Sequence, residues 1–136
     1  MITIKGHKIS GGKGEGEVIM WQDRFAFHGD VNPATGKFVL AGHPLLGQSI
    51  ANKVFIFSAG RGSSQNARVT MEAKNAGNAP AAMICLVADP VTATGAIMAG
   101  IPFVDKLDKN PFDLIEPGDY VIVDADKGIV QVKKKS

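Results

Sequence analysis

At 136 residues the chain is the size of one domain, since single cores usually span about 100–200 residues. With 45% hydrophobic and 21% charged residues it can bury an ordinary core, which excludes disordered and fibrous classes. Its 15 Lys+Arg against 13 Asp+Glu leave +2, and Lys133, Lys134 and Lys135 lie together at the end, so nucleic-acid binding driven by a charge field is disfavoured.

Met1 to Ser10 alternates polar and apolar residues without the hydrophobic region of a signal peptide, and no apolar run approaches the roughly 18–20 residues that span a bilayer. A cytoplasmic protein is expected. Glu17–Trp21 and Phe25–Phe27 read as short strands, and Asn32-Pro33-Ala34-Thr35-Gly36 is a turn before a strand at Lys37–Leu40. Val54–Phe57 is a continuous β-branched and aromatic run, which suits a strand buried on both faces at the centre of a sheet. Between Ser63 and Ala76 the apolar spacing becomes helical, with Gly77 at the C-terminal cap. Ala81–Ala88 then reads as a second buried strand containing the only cysteine, Cys85, a core thiol.

Val91–Ala99 is a helix of small residues, and Ile101–Val104 a third strand. Strand, helix, strand, helix, strand predicts parallel crossovers. Tyr120–Val123 and Ile129–Val132, joined by Asp126-Lys127-Gly128, form a C-terminal hairpin. The expected class is therefore α/β, with a β-rich start, central strand-helix-strand crossovers and a final hairpin. The lysine tail is expected to be a solvated end.

The stretch with most chemical content is Ser58-Ala59-Gly60-Arg61-Gly62-Ser63-Ser64, which joins a buried strand to a helix. Free N–H groups at a helix start attract anions, the glycines allow close approach, and Arg61 can fork onto a carboxylate or phosphate. A simple turn with a serine cap uses the same residues, and spacing leaves both readings open. His7, His28 and His43 have no partner at metal-ligand spacing, so no metal site is expected. His28 and His43 read as turn residues, Trp21 and Tyr120 as core or rim residues, and Asp105, Lys106 and Asp108 as a solvated charge run. A serine-hydrolase reading lacks its Gly-x-Ser-x-Gly elbow.

Several segments in one order carry a resemblance that covers nearly the whole chain. They are Val31-Asn32-Pro33-Ala34-Thr35-Gly36, Gly42-His43-Pro44-Leu45-Leu46-Gly47-Gln48-Ser49 and Gly60-Arg61-Gly62-Ser63-Ser64. Ala79-Pro80-Ala81-Ala82, Asp89-Pro90 with Thr94-Gly95-Ala96-Ile97, and Gly100-Ile101-Pro102-Phe103-Val104-Asp105-Lys106 complete the set. Together they resemble the small subunit, or swivel domain, of the aconitase X family. The chain departs from the pattern at Gln65-Asn66-Ala67-Arg68, where many members continue with Thr or Val followed by Gly-Ser.

The resemblance implies a swivelling β/β/α domain over residues 1–136. It also implies half of a hydro-lyase, completed by a large subunit in a heterodimer or higher assembly, which carries an iron-sulfur cluster, while this chain binds none. By the same resemblance Ser63 is the base that takes a proton from carbon, and Arg61, Gly62 and Ser64 hold an anionic substrate. Ile101–Lys106 and Asp119–Asp126 look more like the archaeal members that dehydrate phosphomevalonate to its trans-anhydro product than the bacterial ones that dehydrate cis-3-hydroxyproline. Two alternatives are a non-catalytic anion-binding swivel module, and a phosphohistidine carrier using His28 or His43.

Overall fold

The computed structural model describes residues 1–135. The first ten residues form two short strands, β1 (Ile2–Lys5) and β2 (His7–Ser10), followed by the long β3 (Lys13–Phe25) and a four-residue turn, α1 (Phe27–Asp30), in which His28 and Gly29 depart from helical backbone angles. Then come β4 (Val54–Gly60), α2 (Asn66–Asn75), β5 (Ala82–Cys85), α3 (Pro90–Ala99) and β6 (Phe103–Asp105). The turn α4 (Pro111–Leu114) precedes the hairpin β7 (Tyr120–Asp124) and β8 (Ile129–Lys133).

The strands lie in the order β1-β8-β7-β3-β4-β5-β6-β2. Strands β3 to β6 run parallel, and the remaining pairings are antiparallel. β3 serves both halves: Lys13–Glu17 pair with β7, and Val18–Phe25 pair with β4. Glycine makes this passage possible, because a Cβ at Gly14 would strike the Ala81 carbonyl and one at Gly16 would meet Asn52 O.

The expected buried central strand is β4, and its two faces feed two cores. Phe55 and Phe57 enter a cluster with Phe25, Phe38, Met83, Phe103 and the helix residues Val69, Ala73, Ala96 and Ala99. Val54 and Ile56 enter another with Ile84, Val104, Val121, Val123, Val130 and Val132. The parallel strands are thus covered by helices on one face and by the antiparallel strands on the other, the expected α/β arrangement with its crossovers and hairpin. Full burial of each such side chain contributes about 1.5–3 kcal/mol, so the continuous apolar run of β4 is what two-sided coverage demands. Cys85 lies fully buried in the helix-side cluster. Burial, with Asp105 and Asp89 adding to it, pushes its thiol well above the ordinary range.

Three expectations need correction. Phe25 closes β3 and Phe27 opens the α1 turn, so Phe25–Phe27 is no separate strand. Lys37–Leu40 makes only isolated bridges, Val31 to Phe38, Lys37 to Ser49 and Phe38 to Leu46. Phe38 is held as a core plug among Phe25, Phe55 and His43, while Gly42 and Gly47 turn the chain at positive φ before a ladder can extend. Finally, the tail is not merely solvated: Lys134 Nζ donates to Asp119 Oδ2 at 2.6 Å, and the Lys135 N–H donates to Asp119 Oδ1 at 3.0 Å.

Asp119 is fully buried. Burial alone would raise its carboxyl, but hydrogen bonds from Lys134 and from the backbone N–H groups of Lys135 and Glu116 outweigh this and hold it below the usual range. Its contribution to stability is therefore complete above the ordinary aspartate value of about 3.9 and is lost as pH falls through the lower folded value. Asp119→Asn is expected to lower the melting temperature at pH 7 and to flatten its fall between pH 5 and pH 2, as measured by thermal unfolding.

Candidate active site

The carboxyl ends of parallel strands are where open α/β sheets gather ligands, and here three such ends meet. β3 runs into α1, β4 into the Arg61–Gln65 loop, and β5 into the loop that starts α3. Phe25 and Gly60 are register partners at the end of the β3–β4 ladder, and the Arg61 N–H donates to Phe25 O at 2.9 Å. The two loops that leave these partners stay side by side, and they bring His28 and Ser63 together, with Nδ1 and Oγ 3.3 Å apart.

A buried polar frame fixes the two loops against each other. Asp30, 1% exposed, accepts from the Ala26 N–H at 3.0 Å and from Arg61 Nη1 at 2.7 Å. Arg61 Nη2 also donates to the His28 carbonyl at 3.1 Å. From the other side, buried Asn66 accepts the His28 N–H on its Oδ1, and its own carbonyl receives the Thr70 hydroxyl at 2.7 Å. Gly29 turns at φ 98°, where a Cβ would press on Arg61 Nη2.

Helix α2 begins at Asn66, without a side-chain cap and without an acidic residue in its first turn. Ser63 instead closes a turn ahead of the helix: its Oγ accepts the Gln65 N–H at 3.3 Å and its carbonyl accepts the Asn66 N–H. The N–H groups of Gly62, Ser63 and Ser64 bond to no backbone acceptor among the described residues. They are free for an anion at the helix start. A cleft of about 240 Å³, lined by Ser63, Ser64, Ala67, Pro90, Val91 and Thr94, opens between the starts of α2 and α3.

The other wall of this region depends on Gly60. A Cβ there would collide with Asp89 Oδ1 and Thr92 Oγ1, two buried atoms without a hydrogen-bond partner among the described residues. Asp89 Oδ2 caps α3 through the Val91 and Thr92 N–H groups, each at 3.1 Å.

Ser63, Ser64, Arg61 and Gly62 thus occur in one loop beside one cleft, with Arg61 already engaged by Asp30. His28, read in the sequence as a turn residue or a phosphohistidine candidate, and Asn66, read as a departure from the family pattern, are participants that the sequence did not place beside Ser63, because their contacts are long-range. His43 is a turn residue, as expected, but a buried one: its carbonyl accepts the Leu46 N–H, its ring stacks on Phe38 at 4.7 Å and it lies 4.4 Å from Trp21. Asp105 is not solvated either, being 1% exposed and accepting from His7 Nδ1 at 2.9 Å and the Ala88 N–H at 2.8 Å. Tyr120 is a rim residue that donates to Glu15 at 2.8 Å.

Asp30→Ala would free the Arg61 guanidinium and leave the buried Ala26 N–H unpaired, at a cost of about 1–3 kcal/mol. Chemical denaturation is expected to show that loss with an unchanged m-value, and proteolysis to reach the Arg61–Gln65 loop sooner.

Comparison with known proteins agrees with this architecture along nearly the full chain. A phosphomevalonate dehydratase small subunit of Methanocella arvoryzae is 43% identical over 131 residues, covering 96% of this chain and 99% of that protein. The phosphomevalonate dehydratase small subunit of Thermococcus onnurineus is 44% identical, covering 98% of this chain and 100% of that one. The crystal structure of Thermococcus kodakaraensis aconitase X in its holo-form matches with a TM-score of 0.91 at 40% identity, over 98% of this chain and 100% of that chain. Residues 3–132 match the model of the aconitase X swivel domain, and the chain belongs to that family.

Proposed function

We propose that this chain, as one swivel domain over residues 1–136, is the small subunit of a hydro-lyase that removes water from phosphomevalonate to give trans-anhydromevalonate phosphate. The observation that carries the reading is the 43% identity to a phosphomevalonate dehydratase small subunit over 99% of that protein. The free amides and the cleft beside Ser63 add chemical support. Phosphomevalonate offers a carboxylate and a phosphate, and the start of α2 offers N–H groups together with the unused donors of Arg61.

A large subunit completes the site in this reading and holds the iron-sulfur cluster. The present chain does not fit such a group: no three His, Cys, Asp or Glu side chains converge among the described residues, and Cys85 is fully buried. The work of this chain lies in binding and proton transfer. Ser63 Oγ takes the carbon-bound proton next to the carbon that loses hydroxide. A hydroxyl does this only if its alkoxide is stabilised, and the helix start and the Arg61 guanidinium supply positive potential at that point. Gly62 and Ser64 hold the substrate's anionic end with their N–H groups.

The decisive experiment co-produces this chain with its large subunit, purifies the complex anaerobically, and measures iron and the dehydration of phosphomevalonate, with cis-3-hydroxyproline as the comparison substrate. Turnover of phosphomevalonate is the expected result. Failure of an iron-containing complex to act on it would overturn the assignment. Ser63→Ala is expected to lower kcat by about 10²–10⁴-fold with little change in KM. Arg61→Lys, which keeps the charge but loses the planar fork, is expected chiefly to raise KM.

A further inference from the structure

We propose that His28 is the proton acceptor that readies Ser63, so that the two side chains work as a dyad built across the ends of β3 and β4. The inference rests on the role given to Ser63 above and extends it to a residue from a different loop.

The dyad requires the Ser63 hydroxyl to donate to the His28 ring, and the surrounding contacts leave room for it to do so. Ser63 Oγ accepts the Gln65 N–H at 3.3 Å, and its hydroxyl hydrogen finds no other acceptor than the His28 ring among the described residues. The neighbouring acceptor is His28 Nδ1, 3.3 Å away. For Nδ1 to accept, the neutral ring must carry its hydrogen on Nε2. The main chain on both sides of the ring is tied down: the His28 N–H bonds to Asn66 Oδ1 and the His28 carbonyl to Arg61 Nη2. Asp30 in turn holds Arg61. These main-chain anchors fix where the ring starts, so that its Nδ1 stays within reach of Ser63.

The step balances within the pair. The Ser63 O–H bond breaks and its proton forms an N–H bond at His28 Nδ1, leaving the electron pair on Oγ. The alkoxide takes the substrate's carbon-bound proton and becomes a hydroxyl again. Hydroxide leaves the neighbouring carbon, and the imidazolium proton neutralises it through solvent, giving water and restoring the neutral ring. Among the described residues the His28 ring hydrogen-bonds to Ser63 alone, and its effect passes through that hydroxyl. It is in this sense a positioning residue with a proton-holding role.

Two measurements test it. In the full chain labelled with ¹⁵N, the ring nitrogens of His28 are expected to show hydrogen on Nε2 and an acceptor at Nδ1, with the Nδ1 signal moving in Ser63→Ala. Hydrogen on Nδ1, or no response to Ser63→Ala, overturns the dyad. In the complex with the large subunit, His28→Gln is expected to lower kcat by about 10²–10⁴-fold at nearly constant KM. The double variant with Ser63→Ala should be no slower than Ser63→Ala alone. Added imidazole should restore part of the rate to His28→Gly but none to its Ser63→Ala double. A fully active His28→Gln, or losses that multiply in the double variant, would also sink the proposal. If the native complex leaves phosphomevalonate untouched, the substrate assignment falls, while the ring-nitrogen spectra still decide the pairing of His28 with Ser63.

Discussion

The parallel pairing of β3 with β4 is the constraint on which both the fold and the site depend. It sets the layer boundary, because β3 leaves its antiparallel partner β7 at Glu17 and joins β4 at Val18. It also sets the chemistry, because the partners Phe25 and Gly60 close the ladder and the loops that carry His28 and Ser63 leave the sheet side by side. Slipping this register by one residue would turn Phe55 and Phe57 from the helix-side core to the opposite face. The same slip would separate His28 from Ser63. One apolar fit therefore enforces a polar geometry that it does not itself contain.

The polar frame beside the cleft divides into fixed and free groups. Asp30, Asn66 and Thr70 are buried and use their capacity on the chain itself. Arg61 is intermediate: 42% exposed, it gives two N–H groups to the α1 turn and keeps others. The amides of Gly62, Ser63 and Ser64 are the free ones. Such a gradient, from buried and satisfied to exposed and free, is what preorganisation requires, since the groups that meet a ligand are held by groups that cannot move.

Much of this was legible in the residues. The apolar run Val54–Phe57, the glycines flanking Arg61, the switch to helical spacing after Ser63 and the turn chemistry of the last hairpin all specify their own local structure. The parts that were not legible are long-range. Nothing local in Lys134 shows that it closes over Asp119, and nothing in Asp105 shows that it is buried beneath His7. Lys37–Leu40 has strand-like composition, but Phe38 gains more by plugging the core than by extending a ladder. Asn66 stood out in the sequence only as a departure from the serine-loop pattern, whereas its amide is the strut that anchors the α1 turn.

The first ten residues supply both outer strands of the sheet: β1 pairs with β8 and β2 with β6. Open edges invite pairing with other chains, and here both edges are strands of only four residues, which offer little to pair with. The segment also imposes an order of events during synthesis. β1 waits for a partner more than a hundred residues downstream, and such distant contacts slow folding. The sheet cannot close before β8 has been made, so until then β1 and the side of β3 that β7 will cover have no partner, the interval in which chaperones have most to protect.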